Sequence, residues 1–375
     1  MPVTVITTTS NVNAFGYNYQ RLSFYAKGLH WLFYSDGTST YWRTSKDGIV
    51  WNAATQLTIL NAHLGAVSVI YDGSDYMHVA YASNTWLYYK RGLLNTDGTI
   101  TWDLEQTAHG VAFQDCNYPV ISLDSNGYPW ISFQLIDILG GSRRPNVTAS
   151  STKDGTWTTA AGFPYELSAT IDGAWATALV LSLAGGKMYC LYWISSDELY
   201  GQLYDGGWGL EETVSTYNVR AVAVSAVVDN NDNIHVVYQR TLTGSIYPIY
   251  YLKRTYSSSS WNSETTLSEP TFTQLPNINI DKATGNLYVF WTLQDQINFI
   301  RNIAGSWEST TIAWITGEGD FPVNAGNTGT VKSFGDKYNR YLGVSWVRGA
   351  NSPYDIRYAV LTLLPTSLKS VISDI

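Results

Sequence analysis

Short apolar segments that end in an aromatic residue recur along the chain, each after a stretch rich in turn-forming residues. There are seven copies, at residues 31–34, 78–81, 130–133, 189–192, 235–238, 288–291 and 343–346. Their final aromatic residues, at 34, 81, 133, 192, 238, 291 and 346, are 46 to 59 positions apart. A repeat of this irregular length suits a four-stranded propeller blade better than the tighter unit of a helical solenoid. No segment of useful length has a helical period, so the pattern predicts an all-β chain.

The residues around each copy predict the other strands of the blade. A turn signal rich in Asp, Asn and Gly precedes five of the copies, and these residue types tolerate the positive φ of tight hairpins. Another β-rich run stands upstream of this turn in several repeats, and a third strand follows the motif. A Trp then opens a Thr-rich fourth strand, at Trp51, Trp102, Trp157, Trp208, Trp261 and Trp307. Each repeat therefore predicts one antiparallel sheet of four strands.

The two ends of the chain predict how the sheets close into a ring. The seventh copy runs into residues 361–364 and then Pro365 without a Trp-led fourth strand, whereas residues 3–8 look like a fourth strand without the first three. Pairing these two ends removes a costly open sheet edge. We therefore predict one seven-bladed β-propeller domain over residues 1–364, closed by the N-terminal strand joining the C-terminal blade. Residues 365–375 are predicted to form a tail outside the repeat.

The composition indicates a well-packed chain and argues against several partners. Hydrophobic residues make up 45% of the 375 residues and charged residues only 14%, so disorder is not expected. The net charge of −8 argues against a protein that coats nucleic acid or anionic membranes. No apolar run reaches the roughly 20 residues of a membrane helix, so no membrane insertion is expected. Cys116 and Cys190 are expected to be buried, unpaired thiols.

One predicted turn matches a known sequence motif. Residues 45–51 fit the pattern S-x-D-G-x-x-W, and degraded versions occur at residues 95–102 and 152–157. The motif resembles the Asp-box of the sialidase-like, BNR-repeat β-propellers. The resemblance implies a hairpin between the third and fourth strands, in which the Asp binds backbone N–H groups, the Gly takes the strained position and the Trp packs between blades. The residues Ser45, Asp47, Gly48 and Trp51 are therefore expected to be structural.

The active site of that family does not carry over to this chain. Sialidases have an Arg-Ile-Pro motif ahead of the first Asp-box, and this sequence has none. They also use an arginine triad, a Tyr/Glu pair and an Asp, and they usually have six blades. The resemblance thus implies the fold without implying the catalytic residues.

Ligand-binding residues of a propeller are expected where the loops between blades, and those between second and third strands, converge over the channel. In this chain such loops hold many of the few charges. The acidic candidates are Asp115, Asp172, Asp197, Glu198, Glu318 and Asp320. The basic candidates are Arg143, Arg144, Arg220, Arg240 and Arg348. Trp175 and Tyr217 are candidates for stacking on a sugar ring. The alternative is that these charges are ordinary solvated loop residues.

The histidines divide into two groups. His78 and His235 occupy equivalent positions of the repeat, which favours a packing role, and His30 sits beside such a position. His63 and His109 fall in predicted inter-blade loops and are candidates for a general base, as in propeller polysaccharide lyases that use His and Tyr. No Cys/His spacing indicates zinc, and residues 229–233 resemble a calcium loop only superficially. Neither a metal nor a cofactor is therefore expected.

Three functions stay open from the sequence alone. The favoured one is a recognition module that binds a glycan or glycoprotein on a cell, matrix or virion surface. The alternative is a glycan-cleaving enzyme, either a sialidase-like hydrolase with paired carboxylates or a lyase with a His/Tyr pair. The third is a structural assembly protein, with the C-terminal tail as a candidate surface for a protein partner. Binding ranks first because the catalytic signature of the resembled family is missing. An extracellular or particle-surface location is expected, although no secretory signal pattern is visible.

Overall fold

The seven sequence repeats form seven antiparallel sheets that pack side by side around a central channel. No α-helix occurs in the part of the chain that is described. The predicted seven-bladed β-propeller is therefore confirmed. The side chains of residues 220–222 are not described, and the computed structural model otherwise describes residues 2–57, 67–83, 85–157, 162–169, 176–194, 198–217, 219–240, 248–268, 275–293, 295–319, 321, 331–336 and 340–363.

Blades are numbered along the chain, and strand β1 (Thr4–Thr9) belongs to blade 7. Blade 1 contains, from the channel outward, β2 (Ser23–Ala26), β3 (Leu29–Ser35), β4 (Thr40–Ser45) and β5 (Thr55–Leu57). Blade 2 contains β6 (Val67–Tyr71), β7 (Tyr76–Ser83), β8 (Trp86–Leu94), β9 (Ile100–Trp102) and β10 (Gln106–Gly110). Blade 3 contains β11 (Gln114–Leu123), β12 (Pro129–Asp137), β13 (Arg143–Ala149) and β14 (Tyr165–Glu166). Blade 4 contains β15 (Ala176–Ser182), β16 (Met188–Ile194), β17 (Leu199–Tyr204) and β18 (Trp208–Ser215).

The last three blades follow the same order. Blade 5 contains β19 (Val219–Val228), β20 (Ile234–Arg240), β21 (Ile249–Thr255), β22 (Ser260–Trp261) and β23 (Thr265–Thr266). Blade 6 contains β24 (Asn277–Asp281), β25 (Asn286–Leu293), β26 (Gln296–Ile303), β27 (Ser306–Trp307) and β28 (Ile312–Ile315). Blade 7 contains β29 (Val331–Ser333), β30 (Tyr341–Arg348), β31 (Tyr354–Thr362) and then β1. Short 3₁₀ turns occur at Ala184–Gly186 and Tyr256–Ser258.

The outer position of blades 2, 5 and 6 differs from the single fourth strand that the sequence predicts. In blade 2 the Trp-led segment and the segment after it form two short strands, β9 and β10, and both pair with β8. Between them the Asp103 carboxylate binds Arg91 of β8 at 2.7 Å. Among the described strands none pairs with this outer edge, so the ladder can be interrupted there without breaking an inner pairing.

Strand β1 closes the ring as predicted. It pairs antiparallel with β31, from Thr4 opposite Tyr358 to Thr9 opposite Tyr354. The side chain of Ile6 is buried in the same core cluster as Tyr358. The two ends of the chain therefore share one sheet, and β31 has a strand on each side.

The recurring apolar motif lies on the second strand of each blade and is buried on both faces of the sheet. Each blade is covered by its two neighbours, so its inner strands carry continuous apolar runs instead of an alternating pattern. The final aromatic residues Tyr81, Phe133 and Tyr238 are fully buried in this way. Cys116 and Cys190 are buried and unpaired, as predicted.

Candidate functional site

The connections between strands divide between two faces of the ring. One face, called the turn face, carries the hairpins between first and second strands and between third and fourth strands. The opposite face, called the loop face, carries the second-to-third-strand loops and the crossings between blades. Several loop-face connections lie outside the described residues, at 58–66, 170–175, 241–247, 269–274 and 322–330. The described part of the loop face therefore consists of strand ends, shorter loops and the channel mouth.

The turn at residues 45–51 lies on the turn face, and its hydrogen bonds explain its sequence. The Asp47 carboxylate accepts hydrogen bonds from the backbone N–H groups of Ile49 (2.8 Å) and Val50 (2.9 Å) and from the Ser45 hydroxyl (3.0 Å). The bonds from Val50 and Ile49 hold the pKa of Asp47 below its usual value, because they stabilise the ionised form.

Gly48 and Trp51 fit this turn against blade 7. Gly48 has a φ of +75°, and a Cβ there would lie 3.0 Å from side-chain atoms of both Tyr358 and Val360. The Trp51 ring packs edge-on against Tyr358, with centroids 5.0 Å apart. The motif residues thus hold blade 1 against blade 7 on the face opposite the predicted ligand loops.

On the loop face, Arg240 lies in a cluster of aromatic and acidic side chains in blade 5. Its guanidinium binds the Glu264 carboxylate and stacks over the rings of Tyr217 (3.1 Å to the centroid) and Tyr250 (4.4 Å). Tyr217 is 52% exposed, so its ring is presented to solvent beside a fixed positive charge. The structure therefore brings together two of the predicted residues, Arg240 and Tyr217.

Glu318 and Arg348, also predicted from the sequence, meet in blade 7. Arg348 donates from Nε to the backbone carbonyl of Glu318. The Glu318 carboxylate accepts hydrogen bonds from Trp346 Nε1 (3.1 Å) and from Arg357 (2.9 Å), and Arg357 also binds Asp355 at 3.0 Å. Arg357 therefore joins two carboxylates in one ion network.

The other predicted residues are scattered or lie outside the description. Arg144 pairs with Glu166 at 3.0 Å across the outer strands of blade 3, and Asp115 is half-buried on β11. Glu198 accepts a hydrogen bond from the Tyr200 hydroxyl. The residues outside the described part are Asp172, Trp175, Asp197, Asp320, His63 and the side chain of Arg220.

Glutamates in or beside the outer strands make the same hydrogen bond in several blades. In three blades a glutamate carboxylate accepts a hydrogen bond from the tyrosine hydroxyl that ends the apolar motif. The pairs are Tyr81 with Glu105, Tyr192 with Glu211, and Tyr238 with Glu264. This repetition indicates that these carboxylates satisfy buried hydroxyl groups.

The histidines at repeat positions pack as predicted. His30, His78 and His235 are buried, and each Nδ1 lies 2.7–2.8 Å from a tyrosine hydroxyl. Burial lowers the pKa of His30 and of His78 to about 4. His109 is half-buried on β10 with its ring 5.3 Å from that of Phe133, and burial lowers its pKa.

A short segment between β1 and β2 occupies the channel. We call residues 16–20 the channel plug. Its Asn18 side chain donates to the carbonyl of Pro276 (2.8 Å) in front of blade 6, and its Gln20 side chain donates to the carbonyl of Pro119 (3.1 Å) in blade 3. The Tyr19 ring packs against Trp193 of blade 4, with centroids 5.3 Å apart. The plug is therefore held by blades on opposite sides of the ring.

Two basic side chains, those of Lys332 and Arg21, lie with the plug. Lys332 Nζ donates to the backbone carbonyls of Tyr17 and Gln20. Arg21 donates to Asn277 Oδ1 and to the carbonyl of Ile278, both at 2.7 Å. Burial lowers the pKa of both groups, that of Arg21 to about 10, so the Arg21 guanidinium stays charged at neutral pH. The channel thus carries positive charge although the chain as a whole is acidic.

Above the plug, the rings of Tyr17 and Tyr118 meet at the channel mouth, and the charge of Arg143 acts on Tyr118. The rings of Tyr17 and Tyr118 are half-exposed and edge-on, with centroids 4.9 Å apart, and their hydroxyl groups are hydrogen-bonded. Burial raises the pKa of Tyr118, while the bond from Tyr17 and the nearby charge of Arg143 act in the opposite direction. Tyr118 also has a φ of +54°, which is strained for an aromatic residue.

Sequence reasoning included Arg143 among the basic candidates but missed both tyrosines. Tyr118 precedes Pro119 at a bulge between Asn117 and Val120, inside a run that reads as an ordinary inner strand. Tyr17 lies in the aromatic, amide-rich segment at residues 13–20, which belongs to no repeat. The break in the repeat was the sequence feature that could have indicated a functional role for Tyr17, because residues outside the repeat are not needed to build a blade.

Within the described ranges, no group of three or more His, Cys, Asp or Glu side chains is arranged to hold a metal ion. A search of the described helices for one long and apolar enough to cross a membrane found none.

Comparisons with known proteins find similarity of structure only. No protein-family model matches the chain, and no curated protein matches it. A polysaccharide lyase, described as a PL25 ulvan lyase bound to -[GlcA(1-4)Rha3S]-, is 10% identical, with 95% of this chain and 96% of that chain covered and a TM-score of 0.59. The polysaccharide lyase Uly1 is 9% identical, with coverage of 97% and 99% and a TM-score of 0.55.

A third similar structure is an α-L-arabinofuranosidase from Fusarium graminearum in complex with an iminosugar inhibitor. It is 14% identical, with 79% of this chain and 92% of that chain covered and a TM-score of 0.50. At such low identities these likenesses show the propeller fold alone. The Asp-box resemblance rests on the turn at residues 45–51.

Proposed function

We propose that this protein acts on an acidic polysaccharide at the channel mouth and cleaves it by β-elimination. The observation that carries the proposal is the hydrogen-bonded pair of Tyr17 and Tyr118 above the plug, with the charge of Arg143 acting on Tyr118. A guanidinium beside phenolic hydroxyl groups can bind a uronate carboxylate and exchange a proton with the sugar. This reverses the order of the functions that the sequence favours, since cleavage now ranks above binding.

The reaction assigns a role to each of the three side chains. Arg143 binds the uronate carboxylate and favours loss of the neighbouring C5 proton. The Tyr118 phenolate takes that proton, the C5–H electrons form the C4=C5 double bond, and the C4–O bond breaks. The leaving oxygen then takes a proton from the Tyr118 phenol. Tyr17 holds the Tyr118 hydroxyl by a hydrogen bond, which favours the phenolate.

Three further observations support an anionic sugar chain as the substrate. The Arg21 guanidinium lies beneath the mouth and adds positive charge at the site. The strain at Tyr118 is the kind that persists where a side chain must be aimed. Two structures with nearly full coverage of this chain are described as polysaccharide lyases. An extracellular or particle-surface location is proposed with this function, because acidic polysaccharides are found there.

Hydrolysis by paired carboxylates has weaker support. Glu318 and Asp355 bind the same guanidinium, that of Arg357, so the two carboxylates are close neighbours, as the catalytic carboxylates of a glycosidase must be. Both are engaged by arginines, however, and this is the arrangement of a structural ion network.

The experiment is an assay for the unsaturated uronate product by its ultraviolet absorbance. The full chain is incubated with pectate, alginate, chondroitin sulfate and an ulvan preparation. We expect product from at least one of them and expect Tyr118→Phe to lower kcat/KM by about 100-fold or more, since proton transfer contributes that much. Tyr128→Phe, on the turn face of the same blade, is the matched control and should leave the rate unchanged.

Absence of product from every polysaccharide, or a Tyr118→Phe variant as active as the wild type, would contradict the proposal. A second candidate, binding without cleavage, is favoured by the exposed Tyr217 ring stacked under Arg240 on the loop face. It predicts retarded migration of the protein in gels containing polysaccharide, without product, and loss of that retardation in Arg240→Ala. A partner protein for residues 365–375 remains a separate prediction, since that tail lies outside the described residues.

A further inference from the structure

A cavity of about 400 Å³ lies on the turn face between blade 1 and blade 7. In blades 1 to 6 a covalent turn joins the third strand to the fourth. In blade 7 these strands are β31 and β1, which come from opposite ends of the chain, so no such turn joins them. The cavity, called the seam pocket, therefore follows from the way the ring closes.

The lining of the seam pocket combines aromatic rings with polar groups. Tyr25 of blade 1 and Tyr341 of blade 7 both contribute half-buried rings. Lys46 and Asp47 are exposed and adjacent at its edge, and His30 is buried beside them. Aromatic faces next to paired donors and acceptors are a common arrangement for binding sugars, because the rings cover C–H groups while the polar groups bind hydroxyls.

Asp47 and Lys46 keep capacity for a ligand. The three hydrogen bonds that the Asp47 carboxylate accepts from Ser45, Ile49 and Val50 all end on Oδ1, and Asp47 lines the pocket. Among the described residues, Lys46 forms no ion pair. Two neighbouring hydroxyl groups can therefore bind here, one donating to Asp47 Oδ2 and the other accepting from Lys46 Nζ.

The charges of the pocket favour a neutral ligand. Lys46 and Asp47 carry opposite charges that cancel. The His30 ring is held by the Tyr358 hydroxyl at 2.7 Å from Nδ1 and has a pKa lowered to about 4 by burial, so it is neutral at physiological pH. A neutral imidazole adds no charge to the pocket.

We infer that the seam pocket binds a single neutral pyranose through two vicinal hydroxyl groups. A zwitterionic amino acid would match the same pair of charges, but exposed ion pairs contribute little to binding because water screens them. The two tyrosine rings give a pyranose additional contact area that a small zwitterion lacks. This site lies on the face opposite the channel mouth and does not depend on cleavage there.

The test uses saturation-transfer NMR on the full chain with D-galactose, D-glucose, D-mannose and L-fucose, and with glycine as the zwitterionic probe. We expect at least one sugar to bind with a Kd on the order of 1 mM, which is typical of a few hydrogen bonds and one ring contact. Tyr341→Ala and Lys46→Ala should each weaken binding at least tenfold. Lys153→Ala changes the equivalent Lys-Asp-Gly turn of blade 3 and should have no effect.

Every other outcome overturns the inference. No transfer to any sugar would exclude the site, and sugar binding that survives both variants would place it elsewhere. Transfer to glycine that the sugars fail to displace would identify an amino acid as the ligand. Lys46 is exposed, so its variant is expected to fold, which circular dichroism checks. Tyr118→Phe should retain sugar binding, so failure here and failure of the proposed cleavage give different results.

Discussion

The two faces of the ring shift the pKa values of individual carboxyl groups in opposite directions. On the turn face, hydrogen bonds from Val50 and Ile49 lower the pKa of Asp47, and Asp229 is also lowered because its hydrogen bonds outweigh the effect of burial. On the loop face, burial raises the pKa of Glu105 and of Glu264. The turn face thus stabilises ionised carboxylates with hydrogen-bond donors, while burial on the loop face opposes the ionisation of these two glutamates.

The backbone conformation also differs between a turn of the turn face and the channel mouth. The strained turn position of blade 1 carries Gly48, for which positive φ costs little. At the channel mouth a comparable φ falls on Tyr118, where it costs about 1–2 kcal/mol. A fold tolerates such a cost where the side chain has a task, whereas this turn of blade 1 carries the residue type that fits it best.

The largest expected effect concerns the pH dependence of cleavage. Because the pKa of Tyr118 is raised, most of the enzyme carries the phenol at neutral pH, and the reactive phenolate increases about tenfold per pH unit. We expect kcat/KM to rise about 100-fold between about pH 7 and about pH 9. A pH–rate profile measures this, and a flat or falling profile over that range would remove Tyr118 as the base.

On the turn face, Asp229→Ala should cause the largest loss of stability. Asp229 accepts hydrogen bonds from the backbone N–H groups of Asn231 (2.8 Å) and Asn233 (2.9 Å) and lies 3.3 Å from His235 Nε2. Losing these bonds should lower the free energy of unfolding by about 2–3 kcal/mol at neutral pH. Urea unfolding of the variant and the wild type measures the difference.

The same pair of proteins tests the direction of the pKa shift. The folded-state pKa of Asp229 is lowered, so its contribution is complete above the unfolded pKa of about 4 and is lost as the pH falls toward the folded value. The difference in the free energy of unfolding between wild type and Asp229→Ala should therefore become smaller at acidic pH. A difference that stays constant or increases would show that the carboxylate charge is not what stabilises this turn.

Gly48→Ala should lower the free energy of unfolding by less than Asp229→Ala does. The new Cβ would meet Tyr358 and Val360 at 3.0 Å and would be strained at a φ of +75°, so we expect a loss of about 1–2 kcal/mol. Gly73→Ala, at a φ of +83° with no atom within 4 Å of the new Cβ, is the matched control for strain alone. Equal losses in the two variants would show that the contact with blade 7 contributes nothing.

The smallest change in the free energy of unfolding is expected from Glu105→Gln in blade 2. Burial raises the pKa of Glu105, so its ionised form opposes folding at neutral pH, and the amide can still accept from the Tyr81 hydroxyl. The variant should be more stable by up to about 1 kcal/mol at neutral pH, with no gain below the unfolded pKa of about 4. Thermal unfolding at both pH values measures it, and a clear loss of stability at neutral pH would contradict the comparison of the two faces.

Individual residues show how far the sequence predicted the site. Residues 45–51 could be interpreted directly, because every partner of Asp47 lies within three positions of it. Glu318 and Arg348 were named as separate candidates, yet their contact joins residues 30 positions apart and needs the closed blade. The cluster of Tyr17 with Tyr118 was not predicted, since those residues are about a hundred positions apart and only the ring brings them together.

The number of blades, their three inner strands and the closure of the ring could be read from the chain, because apolar runs, turn residues and Trp positions act locally or between neighbouring strands. The divided outer strands of blades 2, 5 and 6, and the identity of the polar residues that meet, depend on the folded ring. The plug enters the channel, the loop face gathers Arg240 with Tyr217, and the seam pocket opens where two chain ends share a blade. These contacts depend on distances across the ring, and no periodicity along the chain encodes such distances.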